Sequence, residues 1–188
     1  MEIVDFIQDL KKHLDKINKD EIENAIALIY DSCIKNKTVF IIGNGGSASN
    51  ASHLAQDLSR VSIFHQNKEK SIKAISLTDN ISFITAVAND FGFENIFTSQ
   101  LKTFADEGDV LIAISCSGNS KNIIHAVNFA HSQNMTVFGI TGYDGGQLKQ
   151  LSEMHIHVPL NDFGIVESIH SVIFHYLATE IRSRFAEH

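Results

Sequence analysis

The sequence predicts a single α/β domain of three layers, in which helices cover both faces of a doubly wound, parallel, five-stranded sheet. The first observation is that short apolar runs alternate with segments of helical periodicity from residue 38 onward. The second is that each run is mostly continuous, which is typical of strands buried on both faces. The third is length, because 188 residues suit one domain and argue against two.

Composition and charge exclude several classes of protein. Hydrophobic residues make up 44% and charged residues 20% of the chain, which disfavours disorder. The formal net charge of −7 argues against a non-specific nucleic-acid binder. No apolar run approaches the ~20 residues of a membrane helix, and the acidic N-terminus lacks the basic region of a signal peptide. With two cysteines, Cys33 and Cys116, we expect a soluble cytoplasmic protein without membrane or nucleic-acid partners.

Two helices are predicted at the N-terminus. Apolar residues recur at helical spacing from Ile3 to Ile17 and again from Ile22 to Cys33, and Asp20 is the expected cap of the second helix. No strand separates the two helices. They therefore either fold back on their own domain or pack on a partner, such as a second copy of the chain, and the pattern leaves both possibilities open.

Five strands and their connecting helices follow. The predicted strands are Thr38–Ile42, Ile72–Leu77, Val110–Ile114, Thr136–Ile140 and Met154–Val158. Helical patterns lie near 47–60, 80–88, 94–105, 120–133, 146–152 and 165–184. Because crossovers between parallel strands are right-handed, this alternation favours a doubly wound sheet.

Two strand-to-helix loops have the composition of phosphate-binding loops. The first strand ends in Gly-Asn-Gly-Gly-Ser-Ala-Ser at 43–49, and the third ends in Ser-Cys-Ser-Gly-Asn-Ser at 115–120. Glycines let backbone N–H groups turn toward a ligand, and the helix N-terminus adds a partial positive charge. The first loop matches neither the Walker nor the dinucleotide pattern, and each loop alone is also explained by a capped turn.

The expected topology strengthens this interpretation. In a flavodoxin-like strand order, the sheet reverses direction between its first and third strands, and ligands bind at that point outside the carboxyl ends of the strands. Both loops would border the same crevice. We therefore expect one ligand to contact both loops.

Titratable residues follow these loops. His53 and Asp57 are four residues apart and share one helix face, where they could bind a metal, share a proton or form a plain surface pair. Glu167 and His175 lie eight residues apart, about 12 Å along a helix, which is too far for one metal to bind both from one straight helix. If both serve one site, we expect them to come from different protomers.

A further polar pair, Asn89 and Asp90, ends a predicted helix just before Phe91-Gly92-Phe93. Short polar side chains at this position could donate and accept hydrogen bonds with a polyol. They could equally cap the helix and form a turn, which is the commoner role for these residue types.

Five segments together resemble a known family in their order and spacing. They are Gly43–Ser47, Thr85–Phe93, Glu107–Leu111, Ser115–Ser120 and Thr141–Gly146. They resemble the sugar isomerase (SIS) fold, with a single SIS domain over residues 1–188, and more closely the phosphoheptose isomerases. The resemblance implies a homotetramer with active sites between subunits and the N-terminal helices, residues 1–36, at the interface. It also implies conversion of sedoheptulose 7-phosphate to D-glycero-D-manno-heptose 7-phosphate for lipopolysaccharide or capsule synthesis.

The resemblance also implies roles for individual residues. The expected phosphate ligands are Ser115, Cys116, Ser117 and Ser120. The expected sugar contacts are Asn44, Gly45, Gly46, Ser47, Asn89 and Asp90. One zinc ion per subunit would be held by His53, Asp57, Glu167 and His175. Among these, Asp57 is the first choice for the base, Glu167 is the second, and His175 is the expected acid.

Three positions depart from the family pattern. Asp57 stands where Glu is usual, Glu167 where Gln is usual, and Cys116 where Thr is usual. The Asp57 side chain is shorter by about 1.5 Å, and Glu167 adds a negative charge that favours a divalent cation.

Two other functions remain open at the sequence level. One is a non-catalytic scaffold of the same fold that associates with the replication initiator, a subgroup that the Tyr143–Gly146 segment also resembles. The presence of His175 together with His53 favours the enzyme. The other is an isomerase or binder of a different sugar phosphate, because phosphate loops carry no information about sugar length.

Overall fold

The computed structural model describes residues 2–61 and 71–186. Its five strands form one sheet in the order β2-β1-β3-β4-β5, and every pairing is parallel, which confirms the predicted fold class. The strands are β1 (Thr38–Ile42), β2 (Lys73–Ser76), β3 (Val110–Ser115), β4 (Thr136–Thr141) and β5 (Met154–His157).

Helices connect the strands and cover both faces of the sheet. They are α1 (Ile3–Leu14), α2 (Lys19–Ile34), α3 (Gly46–Ser59), α4 (Ile81–Phe91), α5 (Thr98–Phe104), α6 (Lys121–Ser132), α7 (Gly146–Leu151) and α8 (Phe163–Ala186), with a short 3₁₀ turn at Phe93–Asn95. The predicted cap of α2 was wrong. Asn18, not Asp20, caps that helix, because the Asn18 side chain accepts a hydrogen bond from the Asp20 backbone N–H at 2.9 Å.

The sheet separates two hydrophobic clusters. Along β1, Val39 and Ile41 belong to one cluster, whereas Phe40 and Ile42 belong to the other. Side chains of α2, α3 and α8 complete the first cluster, and side chains of α4 to α7 complete the second. Each face of the central strands is thus buried, which explains why their sequences are continuously apolar.

The N-terminal helix divides its apolar residues between the domain and the surface. Phe6 and Leu10 pack against the first cluster, as do further apolar residues near the end of the helix. Ile3, Val4 and Ile7 remain 68%, 57% and 48% exposed. The helix therefore folds back on its own domain and still presents an apolar stripe outward.

The register of the sheet places the two glycine-containing loops side by side. Ile42, the last residue of β1, pairs with Ala113 of β3, so the loops that follow these strands leave the same edge of the sheet. They enter α3 and α6, which lie on opposite faces of the sheet. Within the described residues, no helix combines the length and the apolar composition needed to cross a bilayer.

Candidate functional site

A cleft of about 220 Å³ lies where the loops after β1 and β3 meet. It is lined by Asn44, Ser47, Ile114, Ser115, Cys116, Ser117, Ser120, Tyr143 and Glu167. The structure thus brings both predicted loops to one ligand-sized space at the N-termini of α3 and α6. The cleft combines hydroxyl groups with two helix N-termini, an arrangement suited to an anion.

The loop after β3, residues 115–120, is called the serine loop, and hydrogen bonds within the loop stabilise its conformation. The Ser115 hydroxyl accepts a hydrogen bond from the Gly118 backbone N–H at 3.1 Å and lies 3.4 Å from the Ser120 hydroxyl. The Asn119 backbone N–H donates to the Ser117 hydroxyl at 3.3 Å. Gly118 adopts a φ of +66°, and a Cβ there would lie 1.9 Å from the Gly145 carbonyl oxygen. Only glycine allows this close approach of the two loops.

The loop after β1 is fixed by a pair of amides. Asn44 and Asn122 each donate a side-chain N–H to the other's oxygen at 2.9 Å. Asn122 is only 2% exposed and was not predicted as a site residue. The sequence signal that could have identified Asn122 is its position, since it is a polar residue in the first turn of α6, directly after the loop at 115–120. The amide pair therefore connects the loop after β1 to α6, the helix that follows the loop after β3.

Glu167 of α8 enters the same cleft. Its Oε1 lies 4.0 Å from the Cys116 Sγ, and its backbone carbonyl accepts a hydrogen bond from the Asn50 side chain at 3.2 Å. A Cβ at Gly46 would lie 2.1 Å from the Glu167 carboxylate, so the glycine makes this approach possible. Glu167 therefore lines the cleft formed by the two loops.

Cys116 lies between the Ser47 hydroxyl, 3.9 Å away, and the Glu167 carboxylate. Burial raises the pKa of the Cys116 thiol; the Ser47 hydrogen bond opposes that rise and the Glu167 charge adds to it. The thiol is therefore protonated at neutral pH. The uncharged thiol therefore lines the cleft and does not act as a nucleophile.

A second cluster forms where α3 packs against α8. The Asp57 Oδ2 lies 3.5 Å from the His53 Nε2 and 3.5 Å from the His175 Nδ1. One ligand atom from each of the three residues lies within 4.8 Å of the others. Two imidazoles and one carboxylate form a donor set that zinc accepts, and catalytic zinc sites keep a further position open. Both imidazoles are about half exposed, which leaves that open side, so the residues fit zinc.

Two sets of predicted site residues are not brought together within one chain. Glu167 does not join the His53–Asp57–His175 cluster, because it lies eight residues, about 12 Å, before His175 on the continuous helix α8. Asn89 and Asp90 are exposed near the end of α4, where the Asn89 side chain donates to the Asp90 carboxylate at 2.7 Å. Neither of these two residues lines the cleft between the loops.

Tyr143 also lines the cleft and was not predicted as a site residue. It has a φ of +50°, an uncommon conformation for a residue with a side chain. Its backbone N–H donates to the Leu160 carbonyl at 3.1 Å, which holds the turn in place. The neighbouring Asp144 side chain accepts from the Gly146 N–H at 3.1 Å.

Comparison with known proteins adds independent information. A family model described as SIS domain matches residues 4–142. A phosphoheptose isomerase of Helicobacter pylori (strain P12) is 36% identical over 177 residues, which cover 94% of this chain and 90% of that protein.

Solved structures agree with these sequence matches. A phosphoheptose isomerase from Neisseria gonorrhoeae has a TM-score of 0.86 and 30% identity, with 96% of this chain and 95% of the other covered. One from Francisella tularensis has a TM-score of 0.84 and 31% identity, with 97% and 94% covered.

Proposed function

The chain belongs to the phosphoheptose isomerases of the SIS domain family, and we propose that it converts sedoheptulose 7-phosphate to D-glycero-D-manno-heptose 7-phosphate in the cytoplasm. The product would enter the synthesis of heptose-containing lipopolysaccharide or capsule. One observation carries the proposal. The chain carries both halves of such a site, a polar cleft next to Ser47 at the start of α3 and a His–Asp–His cluster that includes His53 and Asp57 of the same helix.

The cleft would hold the phosphate group of the sugar. Hydroxyls of Ser115, Ser117 and Ser120 line it and can donate to phosphate oxygens, as can backbone N–H groups at the start of α3 and α6. Cys116, Ser47 and Asn44 complete the lining. Binding energy from this remote group would orient the reacting carbons.

The cluster would hold one zinc ion per subunit through His53, Asp57 and His175, with Glu167 of another copy as a fourth candidate. When bound, zinc would polarise the substrate carbonyl and stabilise negative charge on its oxygen. The donor set supports this assignment, since imidazole nitrogen and carboxylate oxygen are common zinc ligands.

The proton transfers are assigned to side chains of the same cluster. Aldose–ketose isomerisation through a cis-enediol needs a base for a C–H proton and an acid for the oxygen. Asp57 would remove the proton, with Glu167 as the second candidate for this role. His175, 3.5 Å from Asp57, would protonate the oxygen.

Distances support an active site shared between subunits. Along α3, Ser47 lies six residues, about 9 Å, from His53 and ten residues, about 15 Å, from Asp57. An extended heptose 7-phosphate spans roughly 10 Å from phosphorus to C1. A phosphate in the cleft thus leaves C1 short of Asp57, the proposed base, on the same chain, and a second copy would supply the cluster.

Assembly is proposed to be a homotetramer. The exposed apolar stripe of α1, formed by Ile3, Val4 and Ile7, offers a surface for a second copy. Burial of this stripe would remove apolar area from water without unfolding the domain, because the opposite face of α1 already packs on the core.

The scaffold alternative is not favoured, because the relatives that match over most of the chain are named as isomerases. The phosphate cleft alone would also suit another phosphorylated ketose. The direct test incubates the purified protein with sedoheptulose 7-phosphate, and with a five-carbon ketose phosphate as comparison, and follows aldose formation by NMR. We expect turnover of the heptulose that a chelator abolishes and zinc restores. Absence of aldose in the presence of zinc would reject the proposal.

A further inference from the structure

A second cavity begins where the His–Asp–His cluster ends. It has a volume of about 210 Å³, follows the groove between α3 and α8, and is lined by Asp57, Arg60, Val61, His175, Ala178, Thr179 and Arg182. Two of these residues, Asp57 and His175, are shared with the cluster. Each helix adds one arginine, so the cavity joins the proposed base and acid to two guanidinium groups.

The spacing of the arginines places them beside the cluster. Arg60 follows Asp57 by three residues, and Arg182 follows His175 by seven, so each lies on the same helix face as its cluster partner. Gln56 connects Asp57 with Arg60. With the amide oriented to satisfy both partners, its nitrogen donates to Asp57 Oδ1 at 3.3 Å and its oxygen accepts from Arg60 Nη1 at 2.9 Å.

The charges of the lining favour an anionic ligand atom. The cavity lining includes two guanidinium groups and one carboxylate, and the Thr179 hydroxyl donates to the His175 backbone carbonyl at 2.8 Å. A guanidinium has five N–H donors in a planar fork, so a partner at one edge is compatible with an oxygen at another. Arg60 and Arg182 are exposed in the single chain; once substrate and a second copy exclude water from the groove, such donors stabilise negative charge more strongly than in water.

We propose that the reacting end of the sugar enters this cavity and that Arg60 and Arg182 stabilise the enediolate oxygen. This inference rests on the proposed isomerase function. When a base takes the proton from C1 of the ketose, the C–H electron pair forms the C1–C2 double bond. The C2 carbonyl electron pair moves onto its oxygen, which then carries the negative charge that the guanidiniums face. Transfer of a proton from the C1 hydroxyl to this oxygen, through His175 as the proposed acid, moves the negative charge to the C1 oxygen. Return of the carbon-bound proton to C2 then forms the C1 carbonyl and gives the aldose, so no oxidant or further reactant is needed.

The test replaces each arginine by methionine, which keeps much of the side-chain length without the charge. We expect Arg60→Met and Arg182→Met each to lower kcat by about a hundredfold, with KM within about twofold of wild type. Arg182→Lys should recover at least about tenfold of the lost kcat, because it keeps a positive charge. Arg184→Met is the matched control, since Arg184 lies on the same helix outside the cavity and pairs with Glu23 and Glu180.

A binding measurement separates charge stabilisation from a structural role. A hydroxamate analogue with a phosphorylated polyol chain mimics the enediolate, and calorimetry measures its affinity for zinc-loaded and metal-free protein. We expect each methionine variant to lose affinity for the analogue by the same factor as kcat, and circular dichroism to match wild type. If a methionine variant misfolds, the corresponding glutamine variant, Arg60→Gln or Arg182→Gln, which is also uncharged, replaces it in both measurements.

Wild-type kcat and wild-type affinity for the analogue in both folded methionine variants would overturn the inference while leaving the isomerase function intact. A wild-type protein that does not isomerise sedoheptulose 7-phosphate at all would overturn both.

Discussion

His170 is a buried imidazole that the fold keeps neutral. Its Nε2 lies 3.3 Å from the Thr141 carbonyl, to which it donates, and its Nδ1 has no partner among the described residues. Burial lowers the pKa of His170 to about 4, although the Thr141 carbonyl opposes that shift. Between pH 6.5 and 4, the unfolded chain therefore binds a proton at this position that the folded chain does not.

This difference predicts an acid-sensitive stability. Since the folded pKa is depressed, the free energy of unfolding falls as pH drops below about 6.5, and His170 contributes a loss of about 2 kcal/mol between pH 7 and pH 5. His170→Gln keeps an N–H donor but does not titrate. Between pH 7 and pH 5, the free energy of unfolding of this variant should therefore fall by about 2 kcal/mol less than that of wild type. Urea denaturation at both pH values measures the difference. Equal losses in the two proteins would contradict the assigned pKa.

His175 tests the chemistry of the cluster. His175→Ala should lower kcat by about a hundredfold or more and change KM little, because it removes the proposed acid and one metal ligand. Steady-state kinetics with sedoheptulose 7-phosphate measures kcat and KM separately. His125→Ala, an exposed histidine on α6, serves as the control and should keep wild-type kinetics. A similar loss in both variants would count against the assignment.

Ser117 tests the phosphate end. Ser117→Ala removes a hydroxyl that lines the cleft, and one lost hydrogen bond to a charged group raises KM by roughly tenfold to hundredfold with little change in kcat. Ser132→Ala on the exposed surface of α6 is the matched control. An unchanged KM in Ser117→Ala would place the phosphate elsewhere.

At the level of elements, Gly118 and Gly46 in the two cleft loops differ in what an added side chain would contact. A Cβ at Gly118 would meet the backbone of Gly145, and its φ of +66° disfavours other residues. The three atoms nearest to a Cβ at Gly46 would all belong to the flexible carboxylate of Glu167. The first contact cannot relax without moving a loop, whereas the second relaxes by rotation of a side chain.

Thermal denaturation should separate the two positions. Gly118→Ala should lower the free energy of unfolding by at least about 3 kcal/mol, because it combines a clash with backbone strain. Gly46→Ala should cost less than about 1 kcal/mol. A small cost at Gly118, or a larger one at Gly46 than at Gly118, would show that the serine loop does not pack against the Gly145 turn.

The elements themselves were largely predictable from sequence, but the contacts in the site were not. The strands followed from continuous apolar runs, and the meeting of the two loops at one cleft followed from the strand order. The Asn44–Asn122 pair joins residues 78 positions apart, and no local pattern indicates it. The approach of Glu167 to Gly46 likewise depends on how α8 packs on α3. Such contacts are set by tertiary packing, which residue periodicity does not specify.

For the whole molecule, the central claim is that each active site combines the phosphate cleft of one copy with the His–Asp–His cluster of another. Two inactive variants test it together. Ser117→Asp places a carboxylate where the phosphate would bind, and His175→Ala disables the cluster. Each variant alone should be inactive, since every site in its assembly carries the same defect.

Co-assembly of the two variants is the most direct measurement. With native mass spectrometry confirming mixed assemblies, equal amounts should regain about a quarter of wild-type turnover, because one pairing in four joins an intact cleft to an intact cluster. Mixed assemblies that remain inactive would show that cleft and cluster act within one chain or do not act together, and would contradict the account.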